Sequence, residues 1–291
     1  MSQRHFMDLY RARAAEGKAV CVGLDLDHGK FPARYARRPL DDQLLLEFAA
    51  SIIEATADIA IAYKPNIAFY EAYGTVGMAA LHQIIRFIHG TAPGVPIILD
   101  AKRADIDNTN LGYIRSAFEH LGADAITVHP YLGAEALQPF LDCADKGIIV
   151  LCRTSNKGAG EFQDSWVLID DSEEHAFFEQ IGYGMQPVVS VYQHVAYRVA
   201  QHWNKRGNCA LVVGATYPAE LAQVRRIVGD MPLLIPGIGA QGGDVEAAVR
   251  NGRDVNGQGM IINSSRGIIY AEDPRAEALR LDGLIRQFAT A

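Results

Sequence analysis

The sequence predicts a closed (β/α)8 barrel, on three observations. Eight short apolar runs recur along the chain, helical stretches separate most of them, and polar residues interrupt nearly every run at its C-terminal end. The runs are AVCVGLD (19–25), IAIAYKPN (59–66), VPIILDAK (95–102), DAITVHP (124–130), GIIVLCRT (147–154), CALVVGAT (209–216), MPLLIPGIG (231–239) and GMIINSSR (259–266). Each is nearly continuous in apolar residues rather than alternating, the pattern of strands buried on both faces of a parallel sheet. Apolar residues at helical spacing predict helices over 42–58, 77–90, 109–122, 193–204, 218–229, 243–252 and 273–290. Strands alternating with helices favour a barrel over an open sheet. No G-x-G-x-x-G follows the first strand, which weighs against a dinucleotide-binding sheet.

The 291 residues suit one barrel domain spanning 1–291, since such barrels take about 250 residues. Residues of about 155–190, with scattered glycines and the acidic run Asp170-Asp171-Ser172-Glu173-Glu174, read as an inserted loop after the fifth strand, with a short helix of its own. Apolar residues make up 49% of the chain and charged residues 21%, enough for a large core and too ordinary for disorder. A net charge of −7 offers no general attraction to nucleic acid or an anionic membrane. An anionic ligand therefore requires a local site. Cys21, Cys143, Cys152 and Cys209 lack paired metal-site spacing and read as reduced structural thiols. With no apolar leader and no run of about 18 apolar residues, a cytoplasmic location is expected.

Catalytic residues of barrels sit at the C-terminal ends of strands. The first run ends in Asp25, the second in Lys64 and Asn66, and the third in Asp100 and Lys102, with Asp105 just beyond. Positions i and i+2 of a strand face the same way, so Asp100 and Lys102 are expected to share a face that Lys64 can reach. Buried charges of this kind must pair. The fifth run ends in Arg153, Thr154, Ser155 and Asn156. The seventh opens the glycine-rich segment 236–243 with Gln241, and the eighth ends in Ser265 and Arg266. Backbone N–H groups at a helix N-terminus together with an arginine fork form an anion site. Barrels commonly hold phosphate at loops seven and eight. A small phosphorylated substrate, anchored there with its reactive end over the second and third strands, is expected.

These residues resemble the orotidine 5'-phosphate decarboxylase family, in its longer bacterial-type branch. The match runs through GLDLD (23–27), YKPNIAFYE (63–71), LDAKRADIDNT (99–109), PYLG (130–133), RTSN (153–156), LVVGATYP (211–218) and PGIGAQGGD (236–244), in the family's order. Two positions depart from it. Asp107 stands where the family has a small residue, and His129, read as a satisfied structural histidine, where this branch has asparagine. The resemblance implies that Lys102 protonates C6 of the pyrimidine as carbon dioxide leaves, with Asp100 beside the departing carboxylate. It implies a charged array of Lys64, Asp100, Lys102 and Asp105. Asp25 and Lys64 would bind ribose hydroxyls, Ser155 the pyrimidine edge, and Gln241 and Arg266 the phosphate, with Ser265 a further substrate-binding residue. Asp105 and Thr109 would come from the partner subunit of a homodimer with shared active sites. No metal and no cofactor is implied.

An alternative is a magnesium-dependent phosphosugar decarboxylase or synthase of the same barrel group. Such enzymes carry a carboxylate where this chain has Lys64, and a lysine there opposes a cation. A Schiff-base aldolase would need a lysine of depressed pKa, which flanking Asp100 and Asp105 disfavour. A barrel that binds a nucleotide without reacting is a further class.

Overall fold

The computed structural model describes residues 4–183, 188–238 and 243–290. Ten strands are present among them: β1 (Val20–Gly23), β2 (Ala62–Lys64), β3 (Ile98–Arg103), β4 (Ala125–Val128), β5 (Gly147–Arg153), β6 (Trp166–Leu168), β7 (Val188–Ser190), β8 (Cys209–Val213), β9 (Leu233–Pro236) and β10 (Met260–Ser264). Eight of them form one parallel sheet in the order β2-β1-β10-β9-β8-β5-β4-β3. Single parallel bridges, Tyr63 to Ile97 and Asn66 to Asp100, join its two ends. The expected barrel is the architecture found, with each predicted run supplying one barrel strand.

Its core has two layers, because every barrel strand is covered on both sides. The inner layer is filled by one or two residues per strand: Cys21, Ile61 and Ala62, Ile98, Ala125, Ile149, Ala210 and Val212, Leu234, and Ile261. The larger layer lies between strands and outer helices and includes Val20, Val22, Leu99, Val150, Leu211, Leu233 and Ile262. Successive residues of one strand, such as Val20, Cys21 and Val22, therefore enter different layers in turn, as the period of two requires.

Outside the insertion, sequence periodicity overlooks two helices of eight or more described residues. Phe6–Ala15 places Phe6, Tyr10 and Ala14 into the inner layer, closing the barrel end opposite the polar strand ends. Arg4 anchors it with a fork onto buried Asp124, at 2.8 and 2.7 Å. Gly147 makes room for the plug, since a Cβ there would lie 2.4 Å from the Phe6 ring. The other helix, Gly133–Leu141, contains Pro139, which disguises it as a breaker.

The insertion is more ordered than a loop with one helix. It holds helices Gly160–Gln163 and Ser172–Gln180 and an antiparallel hairpin of β6 and β7. Asp171 caps the second helix by accepting the Glu173 and Glu174 N–H groups. Buried Glu174 then meets His194 Nδ1 at 2.6 Å, tying the insertion to the helix Val191–Arg198. Among the described residues no helix is long and apolar enough to cross a membrane, and all four cysteines are free.

The plug yields a test. Phe6→Ala should lower stability to denaturant by about 3–5 kcal/mol, the usual cost of emptying a buried aromatic site. Urea unfolding followed by circular dichroism measures it. A loss below about 1 kcal/mol would mean that the helix decorates the barrel rather than closing it.

Candidate active site

A cavity of about 540 Å³ opens at the C-terminal ends of the barrel strands. Of the candidate residues, Asp25, Lys64, Asp100, Lys102, Ser155, Ser265 and Arg266 line it. Asp105 and Thr109 do not: Asp105 is half-buried on the loop beyond β3, and Thr109 borders a separate cavity of about 460 Å³. Gln241 lies outside the described residues.

At one end of the cavity, Asp100 is shared between two ammonium groups. Lys64 Nζ donates to its Oδ2 at 2.8 Å and Lys102 Nζ to its Oδ1 at 2.6 Å. Both ammonium groups line the cavity, with Lys64 4% exposed and Lys102 50% exposed, so Lys102 is the more open of the two. Burial works against ionisation of Asp100, but the two lysines overcome it and hold the carboxyl far below the usual carboxylate range. Burial likewise opposes the charge on Lys64. Asp100, then Asp25, outweigh it and push its pKa up.

Thr127 completes this end, and the sequence reading missed it. Its hydroxyl donates to Asp100 Oδ1 at 2.9 Å and accepts the N–H groups of Ala101 and Lys102, each at 2.9 Å. The available signal was a lone hydroxyl in the apolar run DAITVHP.

Those bonds reflect a local departure from regular strand geometry. Asp100 and Lys102 do come together, though not through simple i, i+2 alternation. Lys102 has φ +47°, in the left-handed region, and the pairing of β3 with β4 shifts register between Leu99 and Arg103. A bulge re-aims the lysine, a device that recurs beside active sites. Asp107 is also left-handed, at φ +41°, which aspartate tolerates better than branched residues do. The same loop is pinned by buried Asn110, a second missed residue, whose amide bonds Asp105 from both sides and reaches Ala136 O. His129 is less satisfied than expected, for its Nδ1 is buried without a hydrogen-bond partner.

The opposite end is built for an anion, with one correction. Gly237, Ile238, Ser265, Arg266 and Gly267 line it. However, Asp244 caps the helix Val245–Gly252 by accepting the Glu246 and Ala247 N–H groups. Two of the donors expected to hold the anion are therefore already taken. Between the two ends, Asp25 Oδ1, Asn263 Oδ1 and Ser265 Oγ are buried without partners. Buried polar atoms are normally satisfied, so these three, without partners among the described residues, stand ready for polar groups of a ligand. Asn263 belongs to the polar end of the eighth run, Asn263-Ser264-Ser265-Arg266, but the sequence assigned it no role.

Two charged partners at one end, free polar atoms in the middle and an arginine at the other describe a site for a polar, phosphorylated molecule. Comparison with known proteins identifies the group. Residues 18–281 match the Orotidine 5'-phosphate decarboxylase / HUMPS family. The chain belongs to this family. An orotidine 5'-phosphate decarboxylase of Janthinobacterium sp. (strain Marseille) is 50% identical over 253 residues, covering 87% of this chain and 84% of the relative. One of Azoarcus sp. (strain BH72) is 47% identical over 268 residues, covering 92% and 90%. The solved structure of Leishmania donovani OMP decarboxylase superposes with a TM-score of 0.81 at 39% identity, covering 99% of both chains.

Linkage fixes the sign of a pH test. A depressed carboxyl contributes stability above its unfolded pKa and loses it as pH falls through the folded value. In carbon-13 NMR, Asp100 should stay ionised while exposed carboxylates titrate around pH 4. A midpoint for Asp100 in that ordinary range would contradict the shared-carboxylate geometry.

Proposed function

We propose that this chain converts orotidine 5'-phosphate to UMP and carbon dioxide without a cofactor, with Lys102 as proton donor. The observation that carries this reading is the Lys64–Asp100–Lys102 chain, facing an anion-lined end across one cavity. Losing carbon dioxide from C6 leaves an electron pair in the plane of the ring, where the π system cannot absorb it. An ammonium at that carbon stabilises charge that becomes localised only as the transition state is reached, and such an interaction raises kcat. The same ammonium then delivers a proton to C6. Asp100 aims Lys102 and lies beside the leaving carboxylate. Arg266 and Ser265 hold the phosphate together with Gln241, while Ser155 meets the pyrimidine edge and Asp25 and Lys64 the ribose. Binding energy from the phosphate end helps to hold like charges together at the reactive end.

The magnesium-dependent and Schiff-base alternatives fit less well. A buried ammonium bonded to Asp100 occupies the ground a divalent cation would need. Lys64 is pushed towards its charged form, the opposite of a nucleophilic amine.

We further read the chain, over 1–291, as one barrel unit that pairs with a second copy. Asp105 and Thr109 stand outside their own cavity, on a segment with exposed Ile106 and Leu111, and Tyr131 and Leu132 after β4 are exposed as well. An apolar patch of this kind is what a protein–protein contact covers. Asp105 would then complete the neighbour's charged array.

Purified protein should consume orotidine 5'-phosphate in the presence of excess chelator, followed by pyrimidine absorbance. Lys102→Ala should abolish turnover yet retain UMP binding by calorimetry. A variant keeping most of its rate would refute the proton-donor role. Shared sites predict complementation. Lys102→Ala and Asp105→Ala proteins, each inactive, should regain activity when unfolded and refolded together, because a mixed dimer carries one intact site. No recovery, with mixed dimers demonstrated by mass spectrometry, would place Asp105 outside the partner's site.

A further inference from the structure

Arg153 is the largest side chain buried to below 2% exposure, and it ends β5 without lining the cavity. Its Nη2 donates to Asp164 Oδ2 at 3.1 Å, while Nε lies 3.0 Å from Oδ1 without the alignment of a hydrogen bond and is buried without a partner among the described residues. Nη1 donates to Thr154 O at 3.2 Å, and the guanidinium stacks 3.8 Å from the Tyr217 ring centroid. Asp164 follows the helix Gly160–Gln163, so this ion pair fastens the start of the insertion to the barrel. Gln163 adds a second fastening. Its Oε1 accepts the Thr154 N–H at 2.8 Å, and its Nε2 donates to Thr154 Oγ1 at 2.9 Å.

The other side of the same segment is held by the turn after β8. Thr216 Oγ1 donates to Ser155 O at 3.2 Å. Gly214 packs so closely that a Cβ there would lie 2.7 Å from Ser155 Cα. Thr154, Ser155, Asn156 and Gln163 all line the cavity. In the sheet, β5 stands between β4, which carries Thr127, and β8, with the anion-lined β9 and β10 beyond. The wall thus faces the stretch between the reactive end and the phosphate end.

We propose that Arg153 is a positioning residue for pyrimidine recognition, with Asp164 as its latch. This rests on the decarboxylase reading. Arg153 touches no substrate. It sets the depth and angle of the Thr154–Asn156 wall, which meets the base. A buried guanidinium demands its partner, and an ammonium can reproduce neither its stacking on Tyr217 nor its separate donors to Asp164 and Thr154. Shifting the wall by a fraction of an ångström then costs base contacts and leaves phosphate contacts intact.

Arg153→Lys and Asp164→Asn test this. KM and kcat for orotidine 5'-phosphate would be measured, with calorimetric affinities for UMP and ribose 5-phosphate and a thermal midpoint for each variant. KM and the UMP dissociation constant should rise roughly ten- to hundredfold in both variants, in line with the cost of misplacing a binding group. Ribose 5-phosphate affinity should stay at the wild-type value, and kcat should change much less than KM. Unchanged UMP affinity in both variants, on an active wild type, would overturn the positioning role. Equal losses for UMP and ribose 5-phosphate would overturn it too, because general damage and not the base wall would be responsible. A wild type that neither turns over orotidine 5'-phosphate nor binds UMP would refute the decarboxylase reading and this inference with it.

Discussion

One carboxylate organises the reactive end of this protein. Asp100 accepts from Lys64, Lys102 and Thr127 at once, over distances of 2.6–2.9 Å. Any one of these groups buried alone would be costly. Together they leave Lys102 as the more exposed of the two ammonium groups that line the cavity. The bulge in β3 follows from the same constraint, since Thr127 can bond both the carboxylate and two backbone N–H groups only if the strand leaves regular geometry at Lys102. Strain of this kind persists where surrounding bonds over-determine it.

The barrel makes that arrangement affordable by separating tasks between its ends. Phe6 and Tyr10 fill one end with apolar side chains, so packing there is free of polar demands. At the other end, Asp25, Asn263 and Ser265 keep unpartnered polar atoms and Lys102 keeps a half-exposed side chain. The insertion belongs to the second end. Through Gln163 and Asp164 it braces the wall that follows β5, which gives the hairpin and its helices a mechanical purpose beside the cavity.

Much of this was legible in the sequence. The eight apolar runs, Lys64, Asp100 and Lys102 as a cluster, and the polar ends of the fifth and eighth strands are local signals, and the structure brings seven candidate residues to one cavity. Errors arose where a contact depends on register. Alternation correctly anticipated that Asp100 and Lys102 meet, yet the agent is a bulge. The helix after the glycine-rich segment was expected to offer free N–H groups to an anion, whereas the Asp244 side chain caps it. Thr127 and Asn110 looked like incidental polar residues.

Periodicity and motif order alone determined the fold class, the family resemblance and the charged types at the strand ends, because each is a property of neighbouring residues. Only the tertiary structure decided which of those residues touch. Lys64 and Asp100 are 36 positions apart, and Asp100 and Thr127 are 27 apart. Strand register brings them together, and register is set by packing of the whole barrel. The Phe6 plug and the Arg153–Asp164 latch belong to the same class. Each depends on a space that exists only once all eight barrel strands have closed around it.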